Sequence, residues 1–425
     1  MSELHSLLDP MARLPLEIQS EIFLNCKGID VYGLCNPNPR CIPLLLLHVC
    51  HLWRDIALST PRLWDTIAID LSRCLDDSHY TELCADWMDR APPFPLSVAL
   101  QTMSEDNVDV DDLMHRYGPR VGELTVLSFR SSDDKNSLYD PQMHSLRIPS
   151  TFPMLLTLSI TPRKRSFLAD LVDWMDLLRA APHLSKCEFT NLMMHFEQDK
   201  KQPVAPLTLA HLRDLRLGSR FHPNTAEILP HLTLPALETL HITMFDISEQ
   251  DFIQFLVRSA PPLRLLALDV PNNTPQAMSN FLVTCLRNTS GLTDLELFDR
   301  NFDLNNELDA YSVFIPIMGF TESLLPNLPN LQNLTIWQLS IKHVEYGGLV
   351  NALEARFAIQ PSRTPLHSFR LLCYPGSGFD PYSQLDVLNS DPFFLALRQL
   401  MRDGSHAIHV GTTSDNFLEH TNQIS

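Results

Sequence analysis

The sequence predicts an α/β chain in which a small helical unit precedes a curved solenoid of alternating strands and helices. Two observations predict it. A triplet of the form apolar-x-x-apolar-x-apolar occurs nine times between Val121 and Leu371, at intervals of 25 to 39 residues. Before residue 66 there are two short apolar stripes with helical spacing. Self-similarity at such a period marks stacked units, each of which leaves its apolar face uncovered until a neighbour covers it. A chain of 425 residues with 44% hydrophobic content has enough apolar side chains for that core.

The helical unit opens with Leu14-Pro15-Leu16-Glu17-Ile18, followed by Ile22-Phe23. Pro15 suits a first helical turn, where its missing N–H would be unpaired, and Glu17 complements the positive helix end. Leu14, Ile18 and Ile22 repeat every four residues, and Phe23 widens the stripe. A second helix is expected from near Pro43 to before Pro61, with Leu45, Leu46, Val49, Cys50, Trp53, Ile56 and Ala57 on its apolar side. Between them lies an insert, Lys27 to Arg40, rich in Asn, Pro, Gly and Cys. A unit of about fifty residues buries little surface of its own, and this one offers more apolar surface than it can cover. It calls for a partner. A further helix, Leu75 to Arg90, with Leu83, Trp87 and Met88 on one side, is expected to join it to a first strand at Pro95 to Leu100.

The triplets are Val121-Leu124-Val126, Leu155-Leu158-Ile160, Leu184-Cys187-Phe189, Leu212-Leu215-Leu217 and Leu237-Leu240-Ile242. They continue at Leu263-Leu266-Leu268, Leu292-Leu295-Leu297, Leu331-Leu334-Ile336 and Leu366-Phe369-Leu371. Proline stands just before six of them, at Pro153, Pro182, Pro235, Pro261, Pro329 and Pro365, where it ends a helix and turns the chain into a strand. Helical stripes fill the gaps: Leu168, Leu171, Val172, Met175 and Leu178; Phe252, Phe255 and Leu256; Met278, Leu282 and Cys285; Leu349, Leu353 and Phe357; Phe394, Leu397 and Met401. The longest gaps, Asp299 to Pro326 and Gln338 to Arg363, are expected insertions.

Strand neighbours alternate faces, so residues between the triplet positions face away from the core. They are Lys186, Glu188, Arg216, His241, Asp269, Asp294, Glu296, Phe298, Thr335, Trp337 and Arg370. Charged residues there commonly form a solvated sheet face. Phe298 and Trp337 stand out, because aromatic residues in a polar surround match the composition of binding hot spots. Arg216, His241, Asp294, Glu296, Phe298, Trp337 and Arg370 are the candidate substrate contacts.

A net charge of −18 argues against a nucleic-acid partner, whose phosphates need clustered Lys and Arg. No apolar run approaches the roughly 20 residues needed to cross a bilayer, and Met1 to His5 lacks a basic segment followed by an apolar one, so a cytoplasmic or nuclear protein is expected. Nine scattered cysteines do not form a disulfide framework. Cys26, Cys35, Cys41, His48, Cys50 and His51 are dense, yet no pair of these cysteines has the two-to-four-residue spacing of a zinc knuckle, so no metal is expected. There is no Gly-x-Ser-x-Gly, no Gly-rich phosphate loop and no His-Glu-x-x-His. Seventeen histidines are dispersed, several in or beside the triplets (His144, His183, His211, His231, His241), and read as structural. Neither catalysis nor a cofactor is expected of this chain.

Residues 12 to 66 resemble an F-box of the kind common in fungal proteins. There, Leu-Pro-x-Glu-Ile-x-x-x-Ile-Phe is followed by Val-Cys-x-x-Trp-Arg-x-x-Ala and Thr-Pro-x-Leu-Trp, which this chain carries at Leu14 to Phe23, Val49 to Ala57 and Thr60 to Trp64. The resemblance implies docking to the Skp-family adaptor of a cullin-based ubiquitin ligase, with Leu14, Pro15, Ile18, Ile22, Phe23, Val49, Cys50, Trp53, Leu63 and Trp64 forming or supporting the contact. The Lys27 to Arg40 insert departs from the tightest family members. Residues 95 to 412 resemble the leucine-rich repeats found behind many F-boxes, in degenerate form. The Asn or Cys that normally follows each strand is replaced by Leu192, Arg220, Phe245, Pro271, Arg300 and Leu339. The implied organisation is a tail (1–11), the F-box-like unit (12–66), a linking helix (67–94), the repeat array (95–412) and a tail (413–425). The implied role is that of a substrate-recognition subunit of an SCF-type ligase, with the array binding an unidentified protein target. The alternative is an interaction scaffold that never delivers ubiquitin.

Overall fold

The computed structural model describes residues 11–27, 35, 37–102, 111–128, 151–161, 167–190, 192–195, 205–218, 224–243, 248–270, 286, 288–299, 328, 330–338, 350, 353–354, 357, 366–373, 392–403, 407–413 and 416–418. The chain is α/β and divides into two compact units, Met1–Leu212 with Ser219–His222, and Arg213–Gly218 with Pro223–Ser425. The triplets run through this boundary without a break, so nothing in the sequence marks it.

The first unit begins with α1 (Leu16–Asn25), a 3-10 turn at Leu44–His48, α2 (His51–Leu58) and a second 3-10 turn at Pro61–Leu63. Pro15 sits at the cap position, its carbonyl accepting from the amides of Ile18 and Gln19. The single second helix expected from Pro43 is in two pieces. Cys50 is extended (φ −160°, ψ 171°), and Arg54 Nε donates to the Leu47 carbonyl at 2.9 Å across the break. A tighter turn and then a restart shift the helical phase. The residues assigned to one stripe therefore separate: Leu46, Ile56 and Ala57 are buried, whereas Leu45, Val49 and Cys50 are exposed.

Aromatic residues hold this helical part together and to the rest of the first unit. The rings of Phe23 and Trp53 meet at 5.2 Å, joining α1 to α2. Trp64 is fully buried, donates from its indole to the Ala57 carbonyl at 2.9 Å and meets Trp87 edge-on at 5.2 Å. Lys27 pairs with Asp65 at 2.6 Å, tying the residues just after α1 to the start of the sheet.

The strands of the first unit are β1 (Thr66–Asp70), β2 (Leu96–Thr102), β3 (Val121–Ser128), β4 (Thr157–Ile160), β5 (Phe167–Asp170), β6 (Lys186–Thr190), β7 (Leu192–His195) and β8 (Leu207–Thr208). In the main sheet β1, β2, β3, β4 and β6 are parallel neighbours in that order, and β5 pairs separately with β7. The sheet thus begins at Thr66 and not at Pro95. Ile67, Ala68 and Ile69 are all buried, the mark of a strand covered on both faces, which leaves no alternation to read. The helix expected over Leu75 to Arg90 is α3 (Leu71–Asp76) and α4 (Ser78–Asp89). Asp70 and Asp77 each start a new helix by accepting from backbone amides, Asp70 from Ser72 and Arg73 and Asp77 from His79. Trp87 and Met88 are buried as expected, with Tyr80 and Cys84 beside them, while Leu83 is only partly buried. Helices α5 (Asp111–Tyr117) and α6 (Leu171–Arg179) precede β3 and β6. Leu168, expected on a helix, lies in β5, and Leu192, expected in a turn, opens β7.

The second unit contains β9 (Asp214–Gly218), β10 (Leu232–Thr233), β11 (Thr239–Thr243), α7 (Glu249–Ser259), β12 (Leu265–Val270), β13 (Asp294–Asp299), β14 (Asn333–Gln338), β15 (Ser368–Cys373), α8 (Pro392–Asp403) and β16 (Ala407–Gly411). Its main sheet runs β9, β11, β12, β13, β14, β15, β16, every neighbouring pair parallel. Ser248 caps α7 by accepting from the Asp251 amide, and Ala260 ends it in the left-handed conformation (φ 41°) before Pro261. The Met278–Cys285 stripe, Leu349, Arg220, Phe245, Pro271, Arg300, Leu339 and His144 lie outside the described residues.

All three residues of all nine triplets are buried. Pairing sets them in columns: Leu124, Leu158 and Cys187 in the first unit, and Leu215, Leu240, Leu266, Leu295, Leu334 and Phe369 in the second. Ile408 and Val410 of β16, which belong to none of the nine triplets, extend the columns beyond Phe369 and Leu371. The outer strands β1 and β16 each make further bonds to residues outside the main sheets. At β1 the Cys35 carbonyl, from the insert, accepts from the Ala68 amide at 2.9 Å. At β16 the Asn416 side chain bonds the amide of Val410 and the carbonyl of Ile408, and Phe417 and Leu418, expected in a tail, are buried. Edges left bare would invite pairing with other chains.

Candidate protein-binding surfaces

The ten residues assigned to adaptor binding fall into three groups. Phe23, Leu63 and Trp64 are enclosed by the chain itself, so they can only support a contact. Leu14, Ile22 and Trp53 are half-buried, and the Trp53 ring is engaged with Phe23. Pro15, Ile18, Val49 and Cys50 are exposed. Leu16 (53% exposed), Leu45 (42%) and Leu52 (37%) join Ile18 (48%) and Val49 (50%) as large apolar side chains facing outward from this one small part of the chain. Leu16 and Leu52 are not among the ten assigned residues, and Leu45, placed on the apolar side of the expected second helix, is exposed together with Val49 and Cys50 where that helix breaks. Scattered exposed leucines are ordinary; with Leu58 (44%), six large apolar side chains between Leu16 and Leu58 are exposed.

The second candidate surface lies on the face of the second unit's sheet opposite the apolar columns. One row across the strands is Arg216, His241, Ala267, Glu296, Thr335 and Arg370, and the next places Phe298 beside Trp337. Phe298 and Trp337 stack with centroids 5.7 Å apart and planes 6° apart. Phe298 also stacks on His241, two strands away, at 5.1 Å and 11°. Adjacent strands lie about 4.8 Å apart, so that contact requires the Phe298 ring to lean across the intervening strand. Ala267 stands there, and its methyl leaves the room. All three rings are among the residues expected on this face; Ala267, whose small size permits the row, carries no sequence signal of its own.

Charge is arranged beside the rings. Arg216 Nε lies 3.4 Å from Asp214, and Asn333 donates to Asp294 at 2.7 Å. Glu296 is half-buried and, among the described residues, makes no hydrogen bond or close ion pair. Burial pushes its carboxyl above the ordinary range; Arg370 and Arg216 pull it back, and Asp294 adds to the rise. The sheet therefore brings all seven candidate substrate contacts onto one face of one unit. Lys186 and Glu188 of β6 belong to the other unit, and the Asp269 side chain lies outside the described ones.

No family model matches the chain, and no curated protein matches it. Among the described residues no group of three or more His, Cys, Asp or Glu is placed to hold a metal ion, and no helix is long and apolar enough to cross a membrane.

Proposed function

We propose that the chain is the substrate-recognition subunit of a cullin-based, SCF-type ubiquitin ligase. In this reading residues 12–66 form an F-box-like module that docks the Skp-family adaptor, and the strand-helix array, a degenerate leucine-rich solenoid, binds a protein target. The observation that carries the reading is the division within the F-box-like motif. Its Phe23, Leu63 and Trp64 hold the module together, while Ile18, Val49 and their neighbours stay outside, large and apolar yet left in contact with solvent. The chain itself makes and breaks no bonds. It acts by position, since a target held near a charged conjugating enzyme meets it at a high effective concentration.

The test is co-purification of the tagged full chain, scored for adaptor and cullin. Recovery of both, lost together in Ile18→Glu/Val49→Glu, is the expected result. These two positions are chosen over Ile22 and Trp53 because a charge beside the Phe23–Trp53 contact would unfold the module as well as block it. Adaptor recovered without cullin favours the scaffold reading, and recovery of neither refutes the ligase reading.

A further inference from the structure

We infer that the aromatic row and Glu296 form a subsite for a basic side chain, arginine or lysine, presented by a segment of the partner protein. This rests on the reading of the array as the target-binding half of the chain. Three observations converge. The stacked rings of His241, Phe298 and Trp337, each partly exposed, give an apolar edge against which an alkyl stem can pack. Glu296, in the same cross-strand row as His241 and two residues before Phe298, is half-buried and lacks a hydrogen-bond donor among the described residues.

The third observation is the charge balance around it. Among the described side chains, three carboxylates (Asp214, Asp294, Glu296) face two guanidiniums (Arg216, Arg370), and Arg216 is already engaged by Asp214. A protein docking on this face removes more water from Glu296, which is unfavourable unless the newcomer supplies a donor. An acidic segment would add repulsion from Glu296 and Asp294. A guanidinium or ammonium supplies the missing donors and a charge-assisted bond, and the chain's net charge of −18 steers such partners towards it. Arg370 is left to hold a backbone carbonyl of the same segment.

The experiment pans a phage-displayed library of random 12-residue peptides against the immobilised full chain and against its Glu296→Gln variant. Gln is isosteric, and thermal melting confirms that the variant is folded. The expected result is enrichment of Arg- or Lys-containing peptides on the wild type. The best of them should lose affinity about 10- to 100-fold either on Glu296→Gln or when its basic residue becomes norleucine. The two changes together should weaken binding no further than one alone. Enrichment of no peptide, enrichment without a basic preference, or additive losses in the cycle each overturn the inference. The readout does not involve the adaptor, so peptide selection with failed adaptor binding would retain this subsite and discard the ligase reading, and the converse holds.

Discussion

Ile18 and Val49 are 48% and 50% exposed, so each keeps roughly half of its apolar surface in water until something covers it. Complete burial of an aliphatic side chain is worth about 1.5–3 kcal/mol. Half of that at two positions gives about 1.5–3 kcal/mol on docking, or about 10- to 150-fold in Kd. The double variant Ile18→Ser/Val49→Ser should therefore bind the Skp-family adaptor about 10- to 150-fold more weakly in a calorimetric titration. Its thermal midpoint should fall by less than that of a core variant, because folding loses only the half of each side chain that the chain already covers, about 1.5–3 kcal/mol over the two positions. Trp64→Ala is the contrasting variant. That ring is enclosed, bonded to the Ala57 carbonyl and packed on Trp87, so its loss should cost about 3–5 kcal/mol of folding stability. An unchanged Kd for the double serine variant, or a fall in its midpoint as large as that of Trp64→Ala, would refute the division of the motif into inner and outer residues.

Three further outcomes are expected. Leu266→Ala removes a fully buried residue from the middle of a column and should cost about 3–5 kcal/mol in chemical denaturation; a loss under about 1 kcal/mol would mean that neighbouring strands do not depend on one another. Ala260→Gly should stabilise by a few tenths to about 1 kcal/mol, because a Cβ is strained at φ 41° whereas glycine is not; a lower melting temperature would contradict that. Glu296→Gln should raise the melting temperature at neutral pH. The folded carboxyl titrates above its unfolded value, so the native state holds the proton more tightly and wild-type stability falls as pH rises through that window, with Arg370, Arg216 and Asp294 setting its position. The advantage of Gln should shrink on acidification, and a gap that widens at low pH would reverse the assignment.

The regular parts of the chain were legible because they obey one rule. Residues such as Leu240, Leu266 and Leu295 recur at strand spacing, and a one-residue slip would have moved each to the other face. The same alternation marked Arg216, Glu296, Phe298 and Trp337 as neighbours on the opposite face. The features that escaped were local or depended on distant partners. Strand β1 falls almost wholly in the segment expected as the linking helix (67–94), because burial on both faces removes its alternation. The break at Cys50 and the restarts after Asp70 and Asp77 are cap events, which change helical phase without changing apolar content.

The amino-acid sequence by itself determined which residues are interior in the repeats, and hence the strand-helix order and the pairing register, because period-two burial allows only one choice of face. Only the tertiary structure decided which members of the F-box-like motif face outward, that Cys35 and Asn416 bond the outer strands, and that Ala267 leaves room for three rings to stack. Those outcomes depend on contacts between residues far apart in the chain, whose geometry no local spacing encodes.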